Sequence, residues 1–393
     1  MRPTRIFHNP HARPVAASPL VSAALAFHQR LPGYAPTPLI ELPDLAHALG
    51  IGRLWLKNES ERLGLPSFKI LGAAWATYCA LVARLGREPT WSTLDELADQ
   101  LAPLRPLSLA AATDGNHGRA VARMARLLGL EAHIFVPHGT APARIAAITG
   151  EGAEITIVEG SYDEAVARSA RLAGPRCLVI SDTSWAGYEE TPRQVIAGYG
   201  TIFAEVDAAL AARSEPPPDV VVIQMGVGAL AAAAVGHYRR PDHPAPPRLI
   251  GVEPDSAACV LASLRANRLT AVPGPHTSIM AGLNCDTPSL IAWPLLRSGL
   301  DVTLAIDDRY ACQAVRTLAA AGIAAGETGA AGLGGLLALH ELPGQALAAG
   351  LRPGARVLLL STEGVTDPEA RARILAANCA RDCDARRACV AGR

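Results

Sequence analysis

The stretch VVVIQMGVGALAAAAVGHY, residues 220–238, holds a strand, a glycine turn and a helix in direct succession. Its first residues are apolar at successive positions, which predicts a strand with both faces buried, as in a parallel sheet. Gly226 and Gly228 then predict a tight turn, and the alanine-rich run after them predicts a helix. This order is the beginning of a βαβ unit, so the stretch indicates an α/β fold.

The same alternation extends in both directions from this stretch. Helix-like segments alternate with short apolar runs that predict further buried strands at 107–113, 131–137, 154–160, 177–182, 248–254 and 355–361. Strands in this order form largely parallel sheets covered by helices, that is, three-layer α/β domains. A chain of 393 residues suits two such domains or one large α/β unit.

The composition limits the classes of partner. Half of the residues are hydrophobic, 18% are charged and the formal net charge is zero, so no global charge attracts nucleic acid or an anionic membrane. We therefore expect a small neutral or zwitterionic partner. The apolar patch SPLVSAALAF near the N-terminus is far shorter than the roughly 18 residues of a membrane span, and we expect a cytoplasmic enzyme.

The eight cysteines are scattered without a CxxC pair, which argues against a secreted disulfide scaffold and against a zinc knuckle. Cys379 and Cys383 stand four apart near the C-terminus, where a metal site is conceivable, but no second ligand pair accompanies them. We expect ordinary reduced thiols there and no metal.

The glycine turn admits three interpretations. Gly226, Gly228 and Ala231 match the loose dinucleotide pattern GxGxxA, and the next predicted strand ends with an acid, Glu253, as in a nicotinamide-dependent dehydrogenase. A weaker interpretation is that the backbone approaches a cofactor phosphate, which the amides of the helix N-terminus bind. A tight turn without any ligand would show the same pattern.

A second loop follows the predicted strand that ends at Thr113 and reads DGNHG, Asp114 to Gly118. At the carboxyl end of a parallel strand, its amides and short polar side chains could hold a substrate carboxylate and the polar edge of a cofactor ring. Turn formation and helix capping would require the same residue types.

The segment PSFKILGA, residues 66–73, contains one of only two lysines, whereas the chain has 34 arginines. A surface ion pair could use arginine equally well, so a retained lysine suggests Schiff-base chemistry, which a guanidinium cannot perform. We expect Lys69 at a helix N-terminus among apolar neighbours, where both effects favour the neutral amine. The other lysine, Lys57, is expected only to pair with a carboxylate.

A lysine before a helix, a glycine turn for a phosphate and a polar loop for a carboxylate together describe a pyridoxal phosphate enzyme. The motifs PSFKILGA, ATDGNHGRAVA and MGVGALA resemble those of fold-type II pyridoxal phosphate enzymes, the group of threonine dehydratase and the tryptophan synthase β chain. Further segments are similar to diaminopropionate ammonia-lyases and occur in that family's order: 181–205, 276–289, 327–339 and 360–370. Val365 departs from the pattern, because the resemblance would place an acid there.

The resemblance implies a discontinuous large cofactor-binding domain, residues 1–72 and 192–393, and a small domain, residues 73–191, that closes over the substrate. It also implies a homodimer. Lys69 would form the Schiff base with pyridoxal phosphate, and the pyridine nitrogen would meet Ser361 or, failing that, Thr362. The other implied contacts are Asn116 at the ring hydroxyl; Gly226, Val227, Gly228, Ala229 and Leu230 at the phosphate; and Thr113, Asp114, Gly115 and His117 at the substrate.

The implied reaction is α,β-elimination of 2,3-diaminopropionate, as the D isomer, the L isomer or both, to pyruvate and two ammonia. Asp114 and Asp182 are the candidate bases, one for each enantiomer from opposite faces, although either could instead be a turn or cap acid. The nearest alternative is a serine or threonine dehydratase or another β-elimination or β-replacement enzyme of the same fold. A nicotinamide-dependent dehydrogenase and a cofactor-binding sensor are more distant alternatives.

The resemblance also places three further residues near the site. Glu327 is expected to support the cofactor's edge or the dimer side of the site. Cys259 and Cys285 are expected near the active-site mouth, where they could form a redox-sensitive disulfide.

Overall fold

The computed structural model describes residues 3–13, 20–243 and 245–377. Its strands are β1 (Arg5–His8), β2 (Leu39–Glu41), β3 (Arg53–Asn58), β4 (Ser108–Ala112), β5 (Glu131–Pro137), β6 (Glu154–Val158), β7 (Cys177–Val179), β8 (Val220–Gln224), β9 (Arg248–Pro254), β10 (Val302–Ile306) and β11 (Arg356–Ser361). Its α-helices are α1 (Leu20–His28), α2 (Pro43–Ala48), α3 (Lys69–Leu85), α4 (Leu94–Gln100), α5 (Asn116–Leu127), α6 (Pro142–Thr149), α7 (Tyr162–Ala170), α8 (Glu190–Ala212), α9 (Ala229–Tyr238), α10 (Cys259–Ala266), α11 (Trp293–Gly299), α12 (Asp308–Ala320), α13 (Ala331–His340), α14 (Pro343–Ala348) and α15 (Pro368–Ala376).

The strands form two sheets. The larger sheet has the order β1-β10-β9-β8-β11-β3-β2, and the smaller one has the order β6-β5-β4-β7. All neighbouring strands are parallel except the edge strands β1 and β2, which pair antiparallel with β10 and β3. The central strands β4, β8 and β10 are buried at every position, as expected where helices cover both faces of a parallel sheet.

The stretch 220–238 folds as the sequence predicts, because β8 ends at Gln224 and α9 begins at Ala229. Between them Gly228 has a φ of +91°, a conformation that favours glycine. A Cβ at this position would also lie 2.4 Å from Cδ1 of Leu296. Any other residue at position 228 would therefore require both a strained backbone and a shifted neighbour.

Helices α3 and α8 pack against each other in the interior, and α3 also contacts α5. Gly198 permits the close approach, since a Cβ on it would lie 2.5 Å from the backbone oxygen of Leu71. Helix α8 is long and apolar enough to cross a membrane by length and composition alone, but most of it is buried inside the protein. This burial is typical of a core helix.

The smaller sheet lies within residues 108–179, inside the predicted small domain, while the predicted boundaries at 72/73 and 191/192 stay a prediction. The sequence did not predict the short edge strands β1 and β2 or the buried strand β10. Three residues such as those of β2 carry too little periodicity to be recognised alone, and their pairing with β3 defines the strand.

Candidate active site

One pocket lies where the carboxyl ends of strands from both sheets meet, as ligand sites of α/β folds do. It brings together most of the residues that the sequence singled out, which come from distant segments of the chain. Those that line it are Lys69, Thr113, Asp114, Asn116, His117, Asp182, Gly226, Val227, Gly228, Ala229, Leu230 and Thr362. Gly115 and Ser361 are next to lining residues in the chain but are not among them.

Lys69 is the first residue of α3, and its Nζ donates a hydrogen bond to Oδ2 of Asp182 at 2.5 Å. The other carboxylate oxygen of Asp182 accepts a hydrogen bond from the Tyr162 hydroxyl at 2.9 Å. Asp182 follows β7 and Tyr162 begins α7, so both partners come from the segments around the smaller sheet. The lysine is thus held by a carboxylate 113 residues away in sequence.

The expectation of a neutral amine at Lys69 is wrong for this structure. Burial alone would lower the pKa of Lys69, but the carboxylate of Asp182 outweighs burial and raises it well above its usual range. Burial likewise works against the charge of Asp182, but the ammonium of Lys69 holds the pKa of that carboxyl well below its usual range. The pair is therefore an ion pair, and the nucleophilic amine arises only when a proton leaves Lys69.

The glycine turn after β8 leaves no space for a side chain at either of its two glycines. A Cβ on Gly226 would lie 3.0 Å from the backbone oxygen of Gly282 and 3.1 Å from Sγ of Cys285. The turn leads directly into α9, whose first amides have no partner within the helix. The site therefore has the backbone cradle that a phosphate requires.

The DGNHG loop is fixed from both sides. The side-chain oxygen of Thr113 accepts a hydrogen bond from the amide of Gly115 at 2.9 Å. Nε2 of His117 lies 2.7 Å from the carbonyl of Ile180, so this nitrogen carries the proton, while Nδ1 has no hydrogen-bond partner among the described residues. Burial lowers the pKa of His117, and the ring therefore presents a lone pair at Nδ1.

Several pocket residues were missed by sequence reasoning, among them the titratable residues Tyr162 and Glu363. Glu363 is buried, and its carboxylate accepts hydrogen bonds from the Asn116 side chain and from the amide of Thr328 at 3.2 Å. Burial raises the pKa of Glu363. The only signal for it in the sequence was its place two residues beyond the last predicted strand.

The loop ETGAAGLGG surrounds Glu363. A Cβ on Gly326 would lie 2.9 Å from Oε1 of Glu363, and one on Gly329 would lie 2.4 Å from its backbone oxygen. Glu327 itself is buried and does not line the pocket, and burial raises its pKa to about 7. Thr328 is the residue of this loop that reaches the site, so the predicted supporting role of Glu327 stays a prediction.

Two hydroxyls follow the end of β11. The hydroxyl of Ser361 is buried and has no hydrogen-bond partner among the residues that the structure describes. The hydroxyl of Thr362 lines the pocket and already lies 2.9 Å from Nε2 of Gln224. The unused hydrogen-bonding capacity at this strand end is thus on Ser361.

Glu253, the acid that suggested a dinucleotide site, has a structural role. Glu253 is fully buried, and its carboxylate accepts hydrogen bonds from the amides of Val260 and Leu261 at 2.7 and 2.8 Å. Burial raises the pKa of Glu253 to about 8. A side chain committed to the start of α10 cannot bind a ribose, so the nicotinamide alternative loses its support.

Cys259 and Cys285 are free thiols in this structure, so the disulfide suggested by the resemblance is not formed. Both lie beside Gly226, since Sγ of Cys259 is 3.9 Å from its backbone oxygen. Burial raises the pKa of both thiols, which keeps them in the unreactive neutral form. The predicted reduced thiols of Cys379 and Cys383 lie outside the described residues.

Known proteins resemble this chain over most of its length. The family model described as "Pyridoxal-phosphate dependent enzyme" matches residues 30–363. A curated diaminopropionate ammonia-lyase from Salmonella typhimurium is 36% identical over 362 residues, which cover 88% of this chain and 89% of the relative. The chain belongs to the diaminopropionate ammonia-lyase family of pyridoxal-phosphate dependent enzymes.

Solved structures of the diaminopropionate ammonia-lyase family share the fold. The holo enzyme from Escherichia coli matches with a TM-score of 0.88 at 33% identity, covering 95% of this chain and 96% of that chain. The same enzyme in complex with an aminoacrylate-PLP azomethine reaction intermediate matches with a TM-score of 0.86 at 33% identity, covering 95% and 97%. These findings confirm the family, the fold-type II class and the cofactor that the sequence predicted.

The residues of this member of the diaminopropionate ammonia-lyase family fit pyridoxal phosphate. The turn from Gly226 to Leu230 offers backbone amides and no side-chain obstruction to a phosphate. Lys69 lines the pocket and can form a Schiff base. The buried hydroxyl of Ser361, which has no hydrogen-bond partner within the described part of the chain, is a donor that suits a ring nitrogen. Each of these features matches one polar group of the cofactor.

Proposed function

We propose that this chain catalyses the α,β-elimination of 2,3-diaminopropionate to pyruvate and two molecules of ammonia. The observation that carries the proposal is the ion pair of Lys69 and Asp182, 2.5 Å apart, in a pocket that also contains Asp114 and the glycine turn. The names of the relatives from Salmonella typhimurium and Escherichia coli support the substrate.

Lys69 binds the cofactor covalently, and the amino group of the substrate replaces it in that bond. When bound, pyridoxal phosphate withdraws electrons from Cα of an attached amino acid, which makes the α-proton acidic and allows a β-substituent to leave. Lys69 becomes nucleophilic once its proton has left, and Asp182, which stays ionised, holds Nζ in place.

The α-proton is removed by one of two carboxylates. Asp182 is fixed by Lys69 and Tyr162, whereas Asp114 lies in the loop after β4 and its side chain is 31% exposed. Two bases in different loops can reach a proton from different sides, which supports one base for each enantiomer. The β-amino group leaves as the first ammonia, and hydrolysis of the released product gives pyruvate and the second.

The remaining polar side chains position the cofactor ring and the substrate. The amide nitrogen of Asn116 donates one hydrogen to Glu363, and its second hydrogen is available for the ring hydroxyl. Ser361 meets the pyridine nitrogen, with Thr362 as the alternative. Thr113, Asp114, Gly115 and His117 contact the substrate. The Thr113 hydroxyl can donate to the substrate carboxylate, because its oxygen only accepts from the amide of Gly115, whereas the Asp114 carboxylate serves as a base.

The small domain, residues 73–191, closes over the bound substrate on the large domain, residues 1–72 and 192–393. The pocket supports this, because its lining residues come from both sheets. Closure excludes water until the elimination is complete. We further propose a cytoplasmic homodimer. The family resemblance supports the dimer, and the free cysteines of the described residues suit a reducing compartment.

Pyruvate formation from each enantiomer of 2,3-diaminopropionate tests the proposal. The purified protein, loaded with pyridoxal phosphate, should release pyruvate and ammonia in a ratio of one to two. Borohydride should remove its visible absorbance and fix the cofactor on Lys69, which peptide mapping detects. Pyruvate from serine but not from either diaminopropionate isomer would instead identify a dehydratase. Light scattering of the same sample tests the dimer.

A further inference from the structure

A buried arginine lies directly behind Asp114. Arg144, on α6, is 9% exposed, and its Nη1 is 3.6 Å from Oδ2 of Asp114. Its Nε is buried and has no hydrogen-bond partner among the residues that the structure describes. The guanidinium thus has an ion-pair partner at the site and hydrogen-bonding capacity that the protein itself does not use.

The DGNHG loop has a glycine where Arg144 passes. Gly115 has a φ of +154°, and a Cβ on it would lie 3.0 Å from Cδ of Arg144. The stem of the arginine therefore packs on the backbone between Asp114 and Asn116, two predicted site residues. Glycine at position 115 allows the guanidinium to reach Asp114 from behind the loop.

Arg144 is also attracted by carboxylates beyond its own loop. Burial would lower the pKa of Arg144, but Glu363, Asp114, Glu327 and Asp367 together raise it. Glu327 and Asp367 belong to segments next to the larger sheet, while Arg144 lies beside the smaller one. The cation therefore occupies the boundary between the two sheets, and its charge is retained at any working pH.

We propose that Arg144 is a positioning residue for Asp114, whose carboxylate it holds toward the pocket, so that it controls the elimination of one enantiomer only. The inference rests on the proposed function. Asp182 has its own partners, Lys69 and Tyr162, and does not need Arg144. The two candidate bases are thus held by two independent sets of partners.

A direct contact between Arg144 and the substrate carboxylate is the competing assignment. Arg144 does not line the pocket, and Asp114 does, which favours action through Asp114. The two assignments differ in what they predict, because a lost carboxylate contact weakens binding of both enantiomers. A lost positioning contact lowers the turnover of one enantiomer.

The test compares Arg144→Gln, Arg144→Lys and the exposed control Arg168→Gln with the parent enzyme, on each diaminopropionate enantiomer separately. Arg144→Gln should lower kcat for one enantiomer at least about tenfold, the scale of a misplaced catalytic group, with KM little changed. Arg144→Lys should restore most of the lost turnover, because it restores the charge.

Internal controls keep the test decisive. The enantiomer that loses activity must be the one that Asp114→Asn also affects, and the double variant should lose no more than Asp114→Asn alone. Unchanged cofactor absorbance and retained turnover of the other enantiomer show that the variant is folded and loaded. Equal losses for both enantiomers, or a rise in KM for both, would overturn the assignment. Absence of any diaminopropionate turnover in the parent enzyme would overturn the proposed function instead.

Discussion

The two lysines of this chain form nearly identical ion pairs in two different environments. Nζ of Lys57 lies 2.6 Å from Glu205, and Nζ of Lys69 lies 2.5 Å from Asp182. The side chain of Lys57 is 1% exposed, whereas that of Lys69 is 21% exposed and lines the pocket. Distance alone therefore does not distinguish a structural lysine from a reactive one.

Lys57 belongs to a closed network of charges. Its ammonium also donates to the backbone oxygen of Thr37 at 2.7 Å, and Glu205 accepts two further hydrogen bonds from Arg62. Arg62 in turn binds Glu59. Two cations and two carboxylates balance one another, so each buried charge is paired and hydrogen-bonded. Such a network fixes β3 against α8 and offers nothing to a ligand.

Lys69 has one carboxylate partner and free space on its other side. Asp182 shares its second oxygen with Tyr162, and the pocket adjoins the ammonium. Tyr162 would still donate a hydrogen bond to Asp182 if the nitrogen of Lys69 were covalently bonded to a cofactor. In this protein the reactive lysine has one replaceable carboxylate partner, whereas the structural lysine has several partners that balance its charge.

The largest effect is expected for Lys69→Arg, which keeps the positive charge but cannot form a Schiff base. Turnover of both diaminopropionate enantiomers should fall by more than about a thousandfold, beyond the usual contribution of one acid or base group. The visible absorbance that borohydride removes should also be lost. Lys57→Arg is the matched control and should keep both. Persistent absorbance in Lys69→Arg would show that the cofactor is attached elsewhere.

Replacement of Asp114 and Asp182, one at a time, shows which carboxylate serves which enantiomer. Asp182→Asn and Asp114→Asn should each lower kcat by about 10²- to 10⁴-fold for one enantiomer, the range of general-base catalysis. The affected enantiomer should differ between the two variants. Pyruvate assays with pure D and L substrate measure this. Full activity of Asp114→Asn on both enantiomers would remove Asp114 from the mechanism.

Lys57→Met tests the structural half of the comparison. It should lower the free energy of unfolding by about 3 kcal/mol, the lower part of the range for a broken buried pair, because Arg62 still neutralises Glu205. Turnover per folded molecule should be unchanged, since Lys57 does not line the pocket. Urea unfolding followed by circular dichroism measures the loss. A catalytic defect without a stability loss would contradict the division of roles.

The local features of the fold could be predicted, whereas contacts between distant segments could not. The turn at Gly226 and Gly228, the loop after β4 and the place of Lys69 at a helix start are encoded within a few residues. Tyr162, Glu363 and Arg144 reach the site only because the two sheets meet there. A single sequence carries no periodicity that reports such contacts.

The charge of Lys69 likewise depends on both local features and a contact between distant segments. Helix position and burial, both readable from the sequence, favour a neutral amine. The carboxylate of Asp182 reverses this preference. Asp182 was expected from the sequence only as a candidate base. The charge of Lys69 could not be predicted from the sequence, because its 2.5 Å contact with Asp182 is a property of the tertiary fold.

A stability effect that depends on pH concerns His28, which contacts both α3 and α8. Its Nε2 lies 2.9 Å from the backbone oxygen of Leu71 on α3, and its Nδ1 lies 2.8 Å from the hydroxyl of Thr201 on α8. Burial lowers the pKa of His28 to about 4. Between pH 6.5 and 4 the unfolded chain therefore binds a proton that the folded chain does not, so stability falls on acidification by up to about 3 kcal/mol.

His28→Gln should flatten the pH dependence of urea unfolding between pH 6.5 and 4, since the amide does not titrate and can keep one hydrogen bond. The ion pair of Lys69 should not contribute in this window. The pKa of Asp182 is depressed, so its contribution is present above the unfolded value of about 4 and is lost only as pH falls further. An unchanged slope in His28→Gln would move the acid sensitivity away from the helix contact and toward other groups.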